Sequence, residues 1–502
     1  MLLSELMRAS AGSASHAPGQ GSAWPDDVRD VVISGLTLDS RKAGPGFLFA
    51  ALAGQRQDGA AFVAEAVRRG AVAILAAPDA ALPPLEPPVA VIRDANPRRR
   101  LALMAAAFAG VQPACIAAVT GTNGKSSTVH FARHIWTVLG MRAASVGTLG
   151  IVSPDLVREG GLTTPDPVQL HEDLATLARQ GVTHLAIEAS SHGLDQHRLD
   201  GLRLSAACFT NLTHEHLDYH VSMESYFAAK ARLFDELLPE RGTAIVNADS
   251  GRAQALVAIC ARRGVRCWTY GAEGRELRLL ETRPTAAGQH LAIELLGTRH
   301  GVELPLVGGF QASNALAALG LVVATGGDPA RAIEALGSVT GAPGRLQFVA
   351  RHRGGAAVYV DYAHKPEALE TVLTTLRPFA HGRLIVVFGC GGDRDRGKRP
   401  VMGEIATRLA DLALVTDDNP RSEEPAAIRA EIVRGIPAER ANWIEVVDGR
   451  HAAIERGMAA LGGPGDLLLI AGKGHETGQT IKGVTHPFDD AEVARGLAEM
   501  PA

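Results

Sequence analysis

The chain has 502 residues, too many for one hydrophobic core, and two to four domains is the expectation. Apolar residues make up 46% and charged residues 21%, with a formal net charge of −4, which argues against nucleic-acid or anionic-membrane binding. No apolar run approaches the roughly 20 residues of a spanning helix, the N-terminus carries Glu5 in place of a secretory apolar stretch, and five scattered cysteines show no CxxC spacing, so a reducing cytoplasm is expected.

In chain order, "AGSASHAPGQGS" (11–22) reads as a loop. From about 30 to 110, "GFLFAAL", "AAFVAEAVRRG", "VAILAA" and "PVAVIRD" alternate strand and helix patterns. "ACIAAVTGTNGKSSTVHFARHIWTVLG" then gives a strand, a glycine turn and a long helix. Strands "HLAIEAS", "AACFTNL" and "GTAIVN" alternate with helices through about 340, where "TGAPGRLQ" (340–347) breaks the pattern. The last section, with "AVYVDYA", "RLIVVFG", "LALVT" and "DLLLIAG", reads as a doubly wound sheet. The expectation is three α/β domains: 1–110, 111–342 with a mostly parallel sheet, and 343–502, Rossmann-like.

"GTNGKSS" (121–127) sits between a strand ending at Thr120 and a helix starting near Ser126. Its glycines let backbone N–H groups wrap a phosphate at a helix N-terminus, Lys125 would reach the β- and γ-phosphates, and Ser126 could ligate Mg²⁺. Val119 stands where a full GxxxxGK[ST] has its first glycine. Glu188 closes the run "HLAI" at a strand end, and "FTNLTHEHLDYH" gathers Asn211, His214, His216 and Asp218 after another strand, which together point to a metal–ATP site. In "ESYFAAKARLF", helical spacing puts Lys230 on one face with Tyr226, Leu233 and Phe234. Such a lysine either snorkels to water or is a desolvated amine able to take up CO₂ as a carbamate.

In the last domain, "GCGGDRDRGKRP" fails the dinucleotide pattern, because Arg394 occupies the third glycine position. Open α/β sheets bind ligands beyond the carboxyl ends of their strands. Arg394, Asp418 to Arg421, and Gly472 to Glu476 all follow strands, so convergence would build a pocket with two guanidinium groups and at least two carboxylates. That set suits a zwitterionic amino acid.

With "LTLDSR", "GTNGKSS", "TTPDP", "EASSHGLDQHR", "FTNLTHEHLDYH", "AAKARLF", "NALAAL", "PGRLQ", "VDYAHKPEAL", "GCGGDRDRGKRP", "DDNPR" and "AGKGHE" in order, the chain resembles the Mur ligases over essentially its whole length. The resemblance is to the branch that adds meso-2,6-diaminopimelate to a UDP-N-acetylmuramoyl-dipeptide ending in D-glutamate. It implies an ATP-dependent amide ligase of peptidoglycan synthesis working through an acyl phosphate, as a cytoplasmic monomer with Mg²⁺. Leu38, Ser40, Gln55, Arg56 and Gln57 would hold the uridine nucleotide, and Thr163, Thr164, Ser190, Gln196 and Arg198 the muramoyl-dipeptide. ATP would lie on Gly121, Thr122, Asn123, Gly124, Lys125, Ser126 and Ser127, with Asn314 near the base, Asp361 on the ribose and Arg345 on the phosphates. Ser126, Glu188, His216 and Lys230, the last carboxylated, would bind magnesium; Lys125, Glu188, His216 and Lys230 form the implied catalytic set. Arg394, Asp418, Asn419, Pro420, Arg421, Gly472 and Glu476 would bind diaminopimelate. Ser126 replaces the usual threonine, Leu162 an asparagine of some members, and Gln311 a common asparagine. The competing readings are a lysine-adding Mur ligase, a folylpolyglutamate synthetase-like ligase, and a regulatory P-loop NTPase that hydrolyses ATP without an amino acid.

Overall fold

The computed structural model describes residues 1–11, 30–54, 57–86, 89–285 and 288–499, which form two compact units, Met1–Arg275 with Ala317–Ala332, and Glu276–Leu316 with Ile333–Ala502. Gln55 and Arg56, and most of the 11–22 segment, lie outside the described residues.

The first unit opens with a parallel four-stranded sheet in chain order, Gly35–Thr37, Phe47–Ala51, Ala71–Ala76 and Ala90–Arg93. Helix Pro97–Ala109 follows, started by Asn96, whose side chain accepts the Arg99 N–H, and by Pro97 at its first turn. Next come parallel strands in the spatial order Arg266–Gly271, Thr243–Asn247, Ala206–Phe209, Cys115–Thr120, His184–Glu188 and Ala143–Gly147. Short antiparallel strands Gly150–Val152 and Val157–Arg158 extend that sheet. Cys115–Thr120 and His184–Glu188 lie centrally and are buried along nearly their whole length, as parallel strands covered by helices must be.

The second unit carries an antiparallel meander, Leu277–Thr285, Gly288–Leu295 and Thr298–Leu304. Sequence patterning predicts helices between strands in this stretch, and the structure differs. The reason is exposure: most of Leu277–Thr285 faces solvent, so its alternation is faint.

The same unit holds a six-stranded sheet in the order Gln347–Arg351, Ala357–Asp361, Leu467–Ala471, Leu384–Phe388, Leu412–Val415 and Ile444–Val446. All but the first pair are parallel. Successive residues alternate between faces: Val386 and Phe388 pack with Leu369, Met402 and Ile428, while Ile385 and Val387 pack with Ile454, Met458 and Ala494. That is the doubly wound arrangement the sequence predicts. Leu467–Ala471, the last of these six strands in the chain, inserts beside Leu384–Phe388, which in turn neighbours Leu412–Val415. The segments that leave these strands therefore emerge side by side.

Two buried charges anchor this edge. Arg450 and Asp490, both fully buried, form a two-pronged ion pair with two 2.7 Å bonds. Arg450 also donates to the carbonyls of Asp417 at 3.2 Å and Ala471 at 3.0 Å, which ties two strand ends together. Asp361 ends strand Ala357–Asp361; burial pushes its carboxyl up to about 6 against the pull of Arg345, and it accepts the Leu346 N–H at 2.6 Å.

Asp490→Asn strands a buried guanidinium and should cost about 3 kcal/mol, read as a lower urea midpoint of the intact chain. Because the folded pKa of Asp361 lies above its unfolded value, the stability it contributes is full below pH ~4 and disappears as pH rises through ~6. Asp361→Asn should therefore stabilise the chain more at pH 7 than at pH 5, by about 2–3 kcal/mol at the upper end. Equal gains at both pH values would contradict this.

Candidate active sites

The phosphate loop is held from behind by its neighbouring strand end. Thr210 Oγ1 donates to the Asn123 carbonyl at 2.6 Å, Asn211 Oδ1 accepts the Asn123 N–H at 2.9 Å, and the Asn211 carbonyl accepts the Thr122 N–H at 2.9 Å. Gly121 has φ 149°, and a Cβ there would collide with Thr210 Oγ1, so glycine is required. Gly124, at φ 87°, caps helix Lys125–Val138, and Ser126 and Ser127 are buried in its first turn. Thr122 Oγ1 lies 3.1 Å from Tyr226 Oη.

Two amines converge on one carbonyl. Lys125 Nζ and Lys230 Nζ each donate to the Gly121 oxygen at 2.8 Å, and Lys125 also donates to the Thr122 carbonyl. Lys230 is 1% exposed on helix Met223–Arg232 and lies 4.4 Å from the Tyr226 ring centroid. Of the two readings the sequence allowed, the buried amine holds. Burial, then the charge of Lys125, pushes its pKa well below the ordinary lysine value.

Glu188 is 1% exposed at the end of its strand. Its carboxylate accepts the Thr148 N–H at 2.8 Å and the Thr148 hydroxyl at 3.3 Å, and no ion pair reaches it among the described residues. A Cβ at Gly147 would occupy the space this carboxylate uses. His216, at φ 56°, has its ring 4.9 Å from that of His192. Among the described residues no three His, Cys, Asp or Glu cluster as a ready-made metal cage.

The expected dipeptide residues form one network beside Glu188. Thr164 Oγ1 donates to the Glu188 carbonyl at 2.8 Å and accepts from the Ser190 N–H and hydroxyl at 3.0 Å each. Arg198 donates to the Thr164 carbonyl and to Gln196 Oε1, both at 2.7 Å, and Gln196 donates to Tyr219 Oη at 3.1 Å. Thr163 meets Thr148 at 3.0 Å. Thr148, His192 and Tyr219 join this region in the structure; Thr148 stands in no motif, and His192 and Tyr219 lie within motifs without being the residues that carry their chemistry. In the small sheet, Leu38 is exposed, Ser40 donates to Glu65 at 2.9 Å, and Gln57 is exposed.

In the second unit, Gln311 links two expected nucleotide residues: it accepts from Asn314 Nδ2 and donates to the Arg345 carbonyl, each at 3.2 Å. The Arg345 guanidinium lies 4.8 Å from the Tyr362 ring centroid.

The three strand-end segments do converge. A cavity of about 720 Å³ is lined by Arg394, Asp418, Asn419, Arg421, Gly472 and Glu476, together with Tyr362, His364, Lys365 and Lys398. Pro420 is absent from the lining and serves to turn the chain. Arg421 has φ 55° and donates to the Gly392 carbonyl at 2.7 Å. Asp418 is buried, and that burial raises its carboxyl pKa against the pull of Arg450 and Lys473. Behind the wall, fully buried Arg399 grips Glu423 at 2.8 Å and Glu431 at 2.7 Å, and Glu423 accepts the Asp393 N–H at 2.6 Å. This brace, and buried Lys473, carried no signal in the sequence, because arginine and lysine are ordinarily surface residues.

Comparison with known proteins agrees over most of the chain. Residues 32–109 match the Mur ligase family catalytic domain, 119–322 the Mur ligase middle domain, and 344–474 the Mur ligase glutamate ligase domain. The UDP-N-acetylmuramoyl-L-alanyl-D-glutamate–2,6-diaminopimelate ligase of Caulobacter vibrioides is 54% identical, covering 94% of this chain and 97% of its own. A solved structure of a ligase of the same name is 33% identical with a TM-score of 0.70, covering 93% and 95% of the two chains. Mycobacterium tuberculosis folylpolyglutamate synthase, 18% identical with a TM-score of 0.58 over 75% of this chain and 92% of its own, shares the fold alone. The chain belongs to the Mur ligase family.

Proposed function

We propose that this ATP-dependent ligase joins meso-2,6-diaminopimelate to the D-glutamate carboxylate of UDP-N-acetylmuramoyl-L-alanyl-D-glutamate. The cavity that sets Arg394 and Arg421 with Asp418 and Glu476 carries this reading. Guanidinium groups grip carboxylates and the acids grip ammonium, so the pocket matches an amino acid with charges at both ends. Diaminopimelate differs from lysine by one distal carboxylate, and Arg421 is the cation assigned to it. A folylpolyglutamate synthetase-like reading leaves the matched segment 32–109 unexplained.

An amide bond needs an activated carboxylate. The γ-phosphoryl group of ATP passes to the glutamate oxygen, giving an acyl phosphate; the amine of the diamino acid attacks the carbonyl, and phosphate leaves. Lys125 and the N–H groups of 121–127 bind the phosphates, while Thr164, Ser190, Gln196 and Arg198 orient the acceptor. Asn314, Arg345 and Asp361 serve the nucleotide, and Leu38, Ser40 and 55–57 the uridine moiety. The domains run 1–110, 111–342 and 343–502. The ligase acts as a cytoplasmic monomer; separately, no described helix is long and apolar enough to cross a membrane.

Magnesium fits the residues present. Buried Glu188, with no ion pair among the described residues, is the kind of carboxylate that a cation neutralises, and Ser126 and His216 supply further donors. When bound, the metal would offset phosphoryl charge. The depressed pKa of Lys230 leaves its amine nucleophilic. Attack on CO₂, with loss of one proton, makes a carbamate and adds an anionic ligand.

Phosphate release with the UDP-muramoyl-dipeptide should require diaminopimelate; lysine should give a kcat/KM lower by at least about 30-fold, on the order of 2–5 kcal/mol for a charge left without its partner. Arg421→Ala should raise KM for diaminopimelate and narrow that gap. Equal rates with lysine, or release without any amino acid, would sink the assignment. Lys230→Ala should lower kcat by about 100-fold or more, as loss of one electrostatic group at a transferring phosphoryl does; near-normal turnover would exclude the carbamate role.

A further inference from the structure

Lys473 has no part in the reaction as derived above, yet its side chain is completely shielded from solvent. It follows Gly472, at φ 120°, immediately after strand Leu467–Ala471. Its ammonium donates to Glu476 Oε2 at 3.4 Å, to Asn419 Oδ1 at 3.5 Å and to the Gly478 carbonyl. An ammonium has three protons, so its donors are all committed inside the protein.

Those bonds fix two cavity residues. Asn419 Oδ1 also accepts the Thr480 N–H at 3.0 Å, and its Nδ2 donates to Glu476 Oε2 at 2.8 Å. Only one orientation of the amide satisfies this pattern, because the reverse would face its NH₂ toward two donors. Glu476 Oε2 is thus held by both Lys473 and Asn419.

We propose that Lys473 is a positioning residue for the amino-acid site: its buried ammonium locks Asn419 and Glu476 in the geometry that receives an ammonium group of the diamino acid. The proposal rests on the function argued above and adds a residue to it. The benefit is pre-organisation, since acceptors already fixed lose little freedom when the ligand arrives. A lysine that merely satisfied buried acceptors would affect the whole fold; one that sets this geometry affects the amino acid alone.

The test uses the full chain and steady-state phosphate release with ATP, UDP-muramoyl-dipeptide and diaminopimelate. Lys473→Met, and Lys473→Gln as the milder change, should raise KM for diaminopimelate about 10-fold or more while kcat moves less than about 3-fold and the other two KM values less than about 2-fold. If Lys473 acts through Glu476, Lys473→Met combined with Glu476→Gln should raise that KM hardly more than Glu476→Gln alone. An unchanged KM for diaminopimelate, a joint rise in all three KM values, a multiplicative double variant, or failure of both single variants to fold would each overturn the proposal. A parent chain that releases no phosphate in response to diaminopimelate would instead overturn the functional reading beneath it.

Discussion

A charge taken out of water must meet an opposite charge, a dense set of hydrogen bonds or a metal. That constraint organises both candidate sites. In the first unit, Lys230 is buried against the Gly121 carbonyl and the Tyr226 ring, and Glu188 is buried where Thr148 donates to its carboxylate. In the second, Arg450, Lys473 and Arg399 are buried and each has acidic partners that fix a strand end or a loop. One site holds charges in waiting; the other uses paired charges as scaffold for a cavity.

The difference suits the two kinds of ligand proposed for these sites. A triphosphate with magnesium brings its own dense charge, so the protein's residues there can stay incompletely matched until it binds. An amino acid brings isolated charges at fixed separations and must be met by side chains already aimed. Hence the brace behind the cavity: Arg399 holds Glu423, Glu423 holds the backbone of Asp393, and Asp393 accepts from Ser422 beside Arg421.

Much of this was legible in the sequence where an apolar run stops at a glycine or a charged turn. "GTNGKSS" and the three strand ends of the last domain are such places, and the structure finds them at the carboxyl ends of parallel strands. Periodicity failed where burial is weak, as in the meander beginning at Leu277 and the short edge strand Gln347–Arg351. It also failed for supporting charges. Lys473 lies between two residues the resemblance assigns, Gly472 and Glu476, but nothing in a sequence distinguishes a buried lysine from a solvated one. The same ambiguity left Lys230 with two readings until its surroundings were known.

Backbone strain occurs at both candidate sites, though six other described non-glycine residues share a positive φ. His216 and Arg421 have φ of 56° and 55°, a region that side chains other than glycine and asparagine rarely occupy. Glycine would relax each position but would abolish the imidazole or the guanidinium. Tertiary contacts keep Arg421 in place: its N–H donates to the Thr480 carbonyl at 2.9 Å, and its own carbonyl accepts the Lys482 N–H at 2.6 Å. Strained conformations of this kind persist where surrounding structure over-determines them, and they are concentrated at ligand-binding positions. The hairpin Gly478–Ile481 and Val484–Pro487 therefore has a role beyond closing the chain, because it clamps the backbone that aims Arg421. Lys473 binds the Gly478 carbonyl at the root of the same hairpin, so a single buried ammonium touches both ends of the proposed amino-acid site: directly at Glu476, and through the hairpin at Arg421.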